Sequence, residues 1–195
     1  MSLMRVTEVK EKAERAAIDL FAVRGIDGVS IADIAAAAGI SQGALYRYYR
    51  SKDELARHLF GEAYKQTGTQ LRAMVEHEQG FEAGVKAMIM HFCRLYDQDA
   101  ALFRFMLPAQ HELLPVVTDD QNAPVAVIEG VVRDAINADE INGTDVGAVA
   151  ATIMGIVLQT ALFHIYGRIT GQLSEQAPSL ARAAIAASRA LGEVR

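Results

Sequence analysis

The stretch AGISQGALYRYYRSK, Ala38–Lys52, decides how the chain folds. Gly39 can take the left-handed backbone conformation that ends a helix. Ser41 follows at once and has a hydroxyl suited to capping a new helix. A helix predicted from Gln42 to Tyr49 is only about two turns long and cannot stand without packing partners. The end of the stretch carries Arg47, Arg50 and Lys52 and no acid, with Tyr46, Tyr48 and Tyr49 among them. A dense group of bases and rings beside a helix stop needs an explanation, because the chain as a whole is acidic, with net charge −5.

Upstream, Ser30 is a good N-cap, with Asp33 three residues later in a weak capping box. That predicts a short helix closed by Gly39. A first helix runs from about residue 7 to Arg24, where Ala13, Ala17, Leu20 and Phe21 form an apolar stripe and Gly25 ends it. Downstream, Ser51-Lys52-Asp53-Glu54 is a full S-x-x-E capping box and opens a long fourth helix towards His77. Ile31, Ile34, Ala35, Ile40, Leu45 and Tyr49 can then bury against Leu20, Phe21 and Leu55. The result is a three-helix unit containing a helix-turn-helix.

In a DNA-binding helix-turn-helix the second helix enters the major groove and its first residues meet base edges. Here those residues are Ser41, Gln42, Gly43 and Ala44. Gln42 can donate to and accept from adenine together, Gly43 lets backbone approach the duplex, and Ala44 can touch a thymine methyl. Tyr46, Arg47 and Tyr48 can reach flanking phosphates or sugars. Tyr49 is expected in the core and Tyr48 in solvent. Lys52 opposes the helix macrodipole at the start of its helix, and a phosphate placed there would reverse that balance.

Charge distribution fits a local interface. Residues 1–55 hold eight Lys/Arg and eight Asp/Glu, whereas residues 56–195 hold eleven and sixteen. A uniformly basic nucleic-acid binder is excluded, but a phosphate-binding surface in the first quarter is not. With 51% hydrophobic residues the chain can fill a sizeable core. Its single cysteine excludes an internal disulfide, and no signal peptide opens the sequence, which leads us to expect a cytoplasmic protein.

The run from Ala17 to Leu55 resembles the N-terminal domain of the TetR family of transcriptional regulators. Phe21, Gly25, Ser30, Ile34, Ala35, Ala38-Gly39-Ile40-Ser41, Gly43, Leu45-Tyr46, Tyr48-Tyr49, Lys52 and Leu55 carry the resemblance. Ser30 stands where threonine is commoner, Tyr49 where phenylalanine is, and Ala44 where threonine is frequent. The resemblance implies an all-α fold. A helix-turn-helix DNA-binding domain, residues 1–51, would precede a helical ligand-binding and dimerisation domain, residues 52–195. It also implies a homodimer on a palindromic double-stranded DNA operator, a repressor released by a small-molecule effector, and a capping Ser30 hydroxyl near phosphate.

Beyond the head the sequence predicts helices at about 80–96, 100–107, 109–114, 125–138, 144–169 and 179–193, with a loop at 116–123. The segment from Val146 to Gly167 has 22 residues and no formal charge. By length it can span a membrane. It is also rich in Ala, Gly and Thr and carries Gln159 and His164, which suits a buried dimer helix. Gly147, Ala151 and Gly155 would let a partner backbone approach, with Ala183, Ala184, Ala187 and Leu191 as a second close-packing face. We therefore expect a homodimer through the last two helices and no membrane anchor. A membrane-anchored regulator, or a ligand-binding protein with an idle head, is the alternative.

For an effector pocket, Met88, Phe92, Tyr96, Phe103, Met106 and Phe163 supply large adaptable side chains, and His91, Gln159 and His164 supply polar groups. Such residues at helical spacing also suit plain core. His91 and Cys93, two apart on a helix, point to nearly opposite faces and cannot converge on a metal. No H-x-x-x-H, C-x-x-C, G-x-S-x-G or phosphate-cradling glycine loop occurs. No catalytic residue, metal or cofactor is expected.

Overall fold

The structure, a computed structural model, describes residues 3–113, 123–142 and 145–191. They form helices α1 (Leu3–Arg24), α2 (Ile31–Ala38), α3 (Gln42–Tyr46), α4 (Lys52–Val75) and α5 (Phe81–Gln98). These are followed by α6 (Ala100–Leu113), α7 (Pro124–Asn137), α8 (Val146–Ile165) and α9 (Leu173–Leu191). No strand occurs among the described residues, so the all-α expectation holds. The expected loop at 116–123 lies outside the described residues except for Ala123, which precedes α7.

Two compact units emerge. The first gathers α1 to α3, α4 as far as Ala63, and α6; the second gathers α4 from Tyr64 with α5, α7, α8 and α9. The expected DNA-binding segment, residues 1–51, falls within the first.

In that unit Ala13, Ala17, Phe21, Ile34, Ala35, Leu45, Tyr49 and Leu55 are buried, as the periodicity predicts. Leu20, Ile31 and Ile40 are half-buried. α6 packs along α1, and the rings of Phe21 and Phe105 lie 5.5 Å apart. Burying one such ring stabilises the fold by roughly 1.5–3 kcal/mol. That is substantial for a head whose α2 and α3 are too short to persist alone.

The expected break between helices at 100–107 and 109–114 is absent, because α6 continues through Pro108. Pro108 is exposed, so water can satisfy the Arg104 carbonyl that a proline leaves without its helical donor. The last helix likewise begins at Leu173 rather than 179 and holds an exposed Pro178 within it. Its early start comes from α5. The Asp97 carboxylate accepts the Leu173 N–H at 2.8 Å and the Ser174 N–H at 2.9 Å, satisfying two amides that a helix N-terminus leaves open.

α5 and α9 form the most extensive contact of the second unit. Phe81, Val85, Met88, Ile89 and Tyr96 on α5 and Leu173, Ala177, Ala181, Ala184 and Ile185 on α9 are buried. The buried Ser188 hydroxyl donates to the Ala184 carbonyl at 2.7 Å. Cys93 is also buried, and its thiol is pushed up to about 12, first by burial and then by the Asp97 charge. It is a packing group without thiolate character.

Candidate functional site

The helix-turn-helix is built by local capping. The Ser30 hydroxyl accepts the Asp33 N–H at 3.1 Å, and Asp33 accepts the Ser30 N–H at 2.9 Å, a complete reciprocal box. Gly39 closes α2 at φ +67°, where its N–H and that of Ile40 take the Ala36 and Ala35 carbonyls. Ser41 caps α3 through the Ala44 N–H at 3.2 Å. At the start of α4 the Ser51 hydroxyl accepts the Glu54 N–H at 3.1 Å. Glu54 reaches back to the Arg50 N–H at 2.7 Å, one residue upstream of the usual reciprocal partner.

α3 is shorter than predicted. Helical bonding ends at Tyr46, and the N–H groups of Tyr48 and Tyr49 both turn onto the Leu45 carbonyl. Leu45 is fully buried and Tyr49 nearly so, and the residues between them are carried on the surface. Ser41, Gln42, Gly43 and Arg47 are exposed, Tyr46 is 51% exposed, and Ala44 and Lys52 are half-buried. Tyr48, expected in solvent, is half-buried because the tightened turn draws its backbone towards Leu45.

Two features of this surface have no purpose within the chain. A Cβ built on Gly43 would meet nothing within 4 Å, and Gly43 has no positive φ, so the fold has no need of glycine there. Arg47, Arg50 and Lys52 form no ion pair among the described residues. Ser30 is more committed. Its hydroxyl donates to Asp33 at 2.6 Å, so its proton already has a partner. That hydrogen bond, the Ser30 backbone N–H and the Arg24 charge together hold the Asp33 carboxyl below its usual range.

Behind the surface, the Tyr49 hydroxyl donates to the Glu14 carboxylate on α1. Lys10 lies 3.4 Å and His58 Nε2 3.3 Å from the same carboxylate, and the Tyr49 and His58 rings are 5.4 Å apart. Burial, then the hydrogen bond and charge of Glu14, raise the Tyr49 phenol well above its ordinary value, so it remains a donor. Phenylalanine would fill the same space without this link.

In the second unit Met88 and Tyr96 are buried, and His91 and Phe92 are half-buried. The structure brings Tyr96 and His164 together: the phenol lies 3.0 Å from Nδ1, and Nε2 lies 2.6 Å from the Gly171 carbonyl. A carbonyl only accepts, so Nε2 carries a proton and donates to Gly171, while Nδ1 shares a hydrogen bond with the Tyr96 phenol. Both nitrogens of His164 are thus satisfied by the fold. His91 differs: its Nε2 is buried with no hydrogen-bond partner among the described residues, and burial, with the Arg94 charge nearby, lowers its pKa. Phe103 and Met106 are buried on α6, in the first unit, while Gln159 and Phe163 are exposed on α8.

A groove of about 370 Å³ lies among the end of α4, the start of α5 and α7, with Val75, Phe81, Val127 and Val131 in its lining. None of the expected ligand residues lines it. Along α8, Ala151, Gly155, Gln159 and Phe163 form an exposed row four residues apart. Only 28% of the helix's most apolar window is buried, and the helix is long and apolar enough to cross a membrane. On α9, Ala183 and Leu191 share in an exposed face, but Ala184 turns into the core.

A capped helix-turn-helix with unpaired cations around an exposed α3, followed by a helical domain, defines the class: all-α proteins with an N-terminal DNA-binding head. Residues 15–59 match the model of the bacterial regulatory proteins of the tetR family. That match covers about a quarter of the chain and includes the helix-turn-helix described above. A 39-residue segment is 54% identical to a Mycobacterium tuberculosis protein named as a mycofactocin biosynthesis transcriptional regulator, MftR. The match spans 20% of this chain and 20% of that protein, so it covers only about a fifth of that relative's length.

The fold has solved counterparts. The transcriptional regulator FadR from Bacillus subtilis, in complex with stearoyl-CoA, superposes with a TM-score of 0.80 at 18% identity, over 90% of this chain and 97% of that one. The fatty acid degradation regulator FadR from Bacillus halodurans gives 0.80 at 16%, over 95% and 100%. A tetR-family regulatory protein from Rhodococcus RHA1 gives 0.78 at 18%, over the whole of both chains. At these identities the likeness is one of fold.

Proposed function

We propose that the chain is a ligand-responsive transcriptional regulator and not an enzyme. It is a cytoplasmic repressor that binds a palindromic operator as a homodimer and leaves it when a small apolar or amphipathic effector binds. The observation that carries this reading is the α3 surface: a glycine the fold does not require, beside Gln42 and three cations with no ion pair among the described residues. Gln42, Gly43 and Ala44 read base edges. Ser41, whose hydroxyl proton is free of the capping bond, Tyr46, Arg47, Tyr48 and Lys52 hold phosphates or sugars, with Ser30 nearby.

One short helix reads few base pairs, so a twofold dimer is needed for specificity. The exposed small-residue row of α8, with α9, is the face we assign to it. The buried Nε2 of His91, which has no hydrogen-bond partner among the described residues, supports an effector site that supplies a polar group there, and Met88, Phe92 and Tyr96 share α5 with it. The stearoyl-CoA held by the Bacillus subtilis FadR supports an amphipathic class of effector. Occupancy would act through α4, the helix that both units share, by binding the two DNA-competence states with different affinity.

The test is selection of binding sites from a random duplex pool by the purified protein at near-physiological salt. An enriched palindrome with half-sites about one helical turn, ~34 Å, apart is the expected result. No enrichment by a ligand-free dimer would mean an idle head and a purely ligand-binding protein. Recovery only with the membrane fraction of a detergent-free lysate would make α8 an anchor instead of a dimer helix.

A further inference from the structure

We infer that Glu14 is a positioning residue for DNA reading: by accepting the Tyr49 hydroxyl it latches the end of the recognition segment to α1 and fixes how Gln42, Tyr46 and Arg47 are presented. The inference rests on the reading of the head as a DNA reader. α3 has five residues, too few to set its own axis, so its orientation is fixed by what anchors its ends. At one end Gly39 and the Ser41 cap fix the turn. At the other, Leu45 is buried in the core and Tyr49 binds Leu45 through its backbone and Glu14 through its side chain.

Without the latch, the cap, Leu45 and the buried Tyr49 ring would still hold the segment, but apolar burial is non-directional and would leave it freer to roll about the axis of α3. The exposed residues Tyr46 and Arg47 lie between the two anchors and would swing with it. Base contacts depend on angle, whereas flexible cations follow phosphates through small rotations. The latch should therefore affect sequence-specific binding and leave general DNA binding unchanged. Glu14 is well suited to this, since it lies on another helix, 35 residues away in sequence, and is held in turn by Lys10 and His58.

The experiment is a mutant cycle on the full-length protein, titrated with the duplex enriched from the random pool and with a scrambled duplex of equal length. Tyr49→Phe keeps the ring and the core. It is expected to weaken the enriched duplex about three- to tenfold, the effect of one hydrogen bond, with the scrambled duplex unchanged. Glu14→Ala should match it, and the double variant should be no worse than either alone. Glu14→Gln, whose amide oxygen still accepts the phenol but which loses the charge seen by Lys10 and His58, should restore most of the affinity.

Equal losses on both duplexes, additive losses in the double variant, or an unaffected Glu14→Ala would overturn the inference. So would failure of Glu14→Gln to rescue, which would transfer the effect to the ion pairs. If the wild-type protein enriches no duplex, the DNA role falls with the reading it rests on. The same cycle in melting temperature then shows separately whether Tyr49 and Glu14 are coupled.

Discussion

Replacing Asp97 with alanine should loosen the start of α9. The carboxylate accepts two backbone amides there, those of Leu173 and Ser174, from a helix 76 and 77 residues away in sequence. Loss of a capping side chain typically costs about 0.5–2 kcal/mol, and single hydrogen bonds to charged groups about 1.5–3 kcal/mol. Ser174 is half-exposed, so water can replace its bond, whereas Leu173 is fully buried and its amide is harder to rehydrate. Together these suggest a loss of about 2 kcal/mol, or about 4–8 °C in melting temperature for a chain of this size. Asp97→Asn keeps one acceptor oxygen and should lose roughly half as much.

The pH dependence follows from the same bonds. Burial pushes the Asp97 carboxyl up, but the Ser174 side chain, the Ser174 and Leu173 amides and nearby His164 outweigh it and hold the carboxyl below its usual range. A depressed carboxyl stabilises the fold above its unfolded pKa, near 3.9, and loses that contribution as pH falls through the lower folded value. The gap between wild type and Asp97→Ala should be full at pH 7 and narrow as pH is lowered below about 4. Thermal denaturation followed by circular dichroism reads both effects. A gap under about 0.5 kcal/mol at pH 7, or one that stays constant into acid, would refute the reasoning.

Other expectations concern the head and the dimer face. Gln42→Ala should cost about 1–3 kcal/mol at one operator position and relax base preference there, as binding to a panel of single-base operator variants would show. Lys52→Ala should weaken binding to every sequence and lower the salt slope by about one, read from titrations at several salt concentrations. A Cβ on Gly155 meets nothing within 4 Å, so Gly155→Arg should leave the protomer folded but convert the proposed dimer to monomer in sedimentation velocity. Gly39→Ala forces a side chain into φ +67° and should destabilise the head by roughly 1–2 kcal/mol in chemical denaturation.

The head was legible because its instructions are local. Ser30 with Asp33, Gly39, Ser41, and Ser51 with Glu54 each act within four residues, and side-chain type alone announces them. The body was less legible because its decisive contacts are distant in sequence. The start of α9 is set by Asp97, and the place of α6 by packing on α1 through pairs such as Phe21 and Phe105. Proline taken as a stop signal therefore misplaced two helix boundaries, at Pro108 and Pro178, where exposure makes a missing amide tolerable. The Tyr49–Glu14 link had no sequence signal except an unexpected hydroxyl on a core ring. For the expected ligand residues, large side chains at helical spacing carry no signal of which lie on α6, which face solvent on α8, and which, like His164, hydrogen-bond within the fold.

On α3 the residues that hold the fold and those that meet the outside are different residues. Ser41, Leu45 and Tyr49 carry the cap and the core, while Gln42 and Gly43 are exposed and a Cβ on Gly43 would meet nothing within 4 Å. Two adjacent positions can therefore be rewritten with little effect on folding. If the proposed reading of bases holds, a lineage that duplicates this gene could drift towards a new target sequence by single substitutions at 42 and 43, each intermediate still a folded protein. The same separation makes the segment a natural place to randomise when retargeting the head in the laboratory.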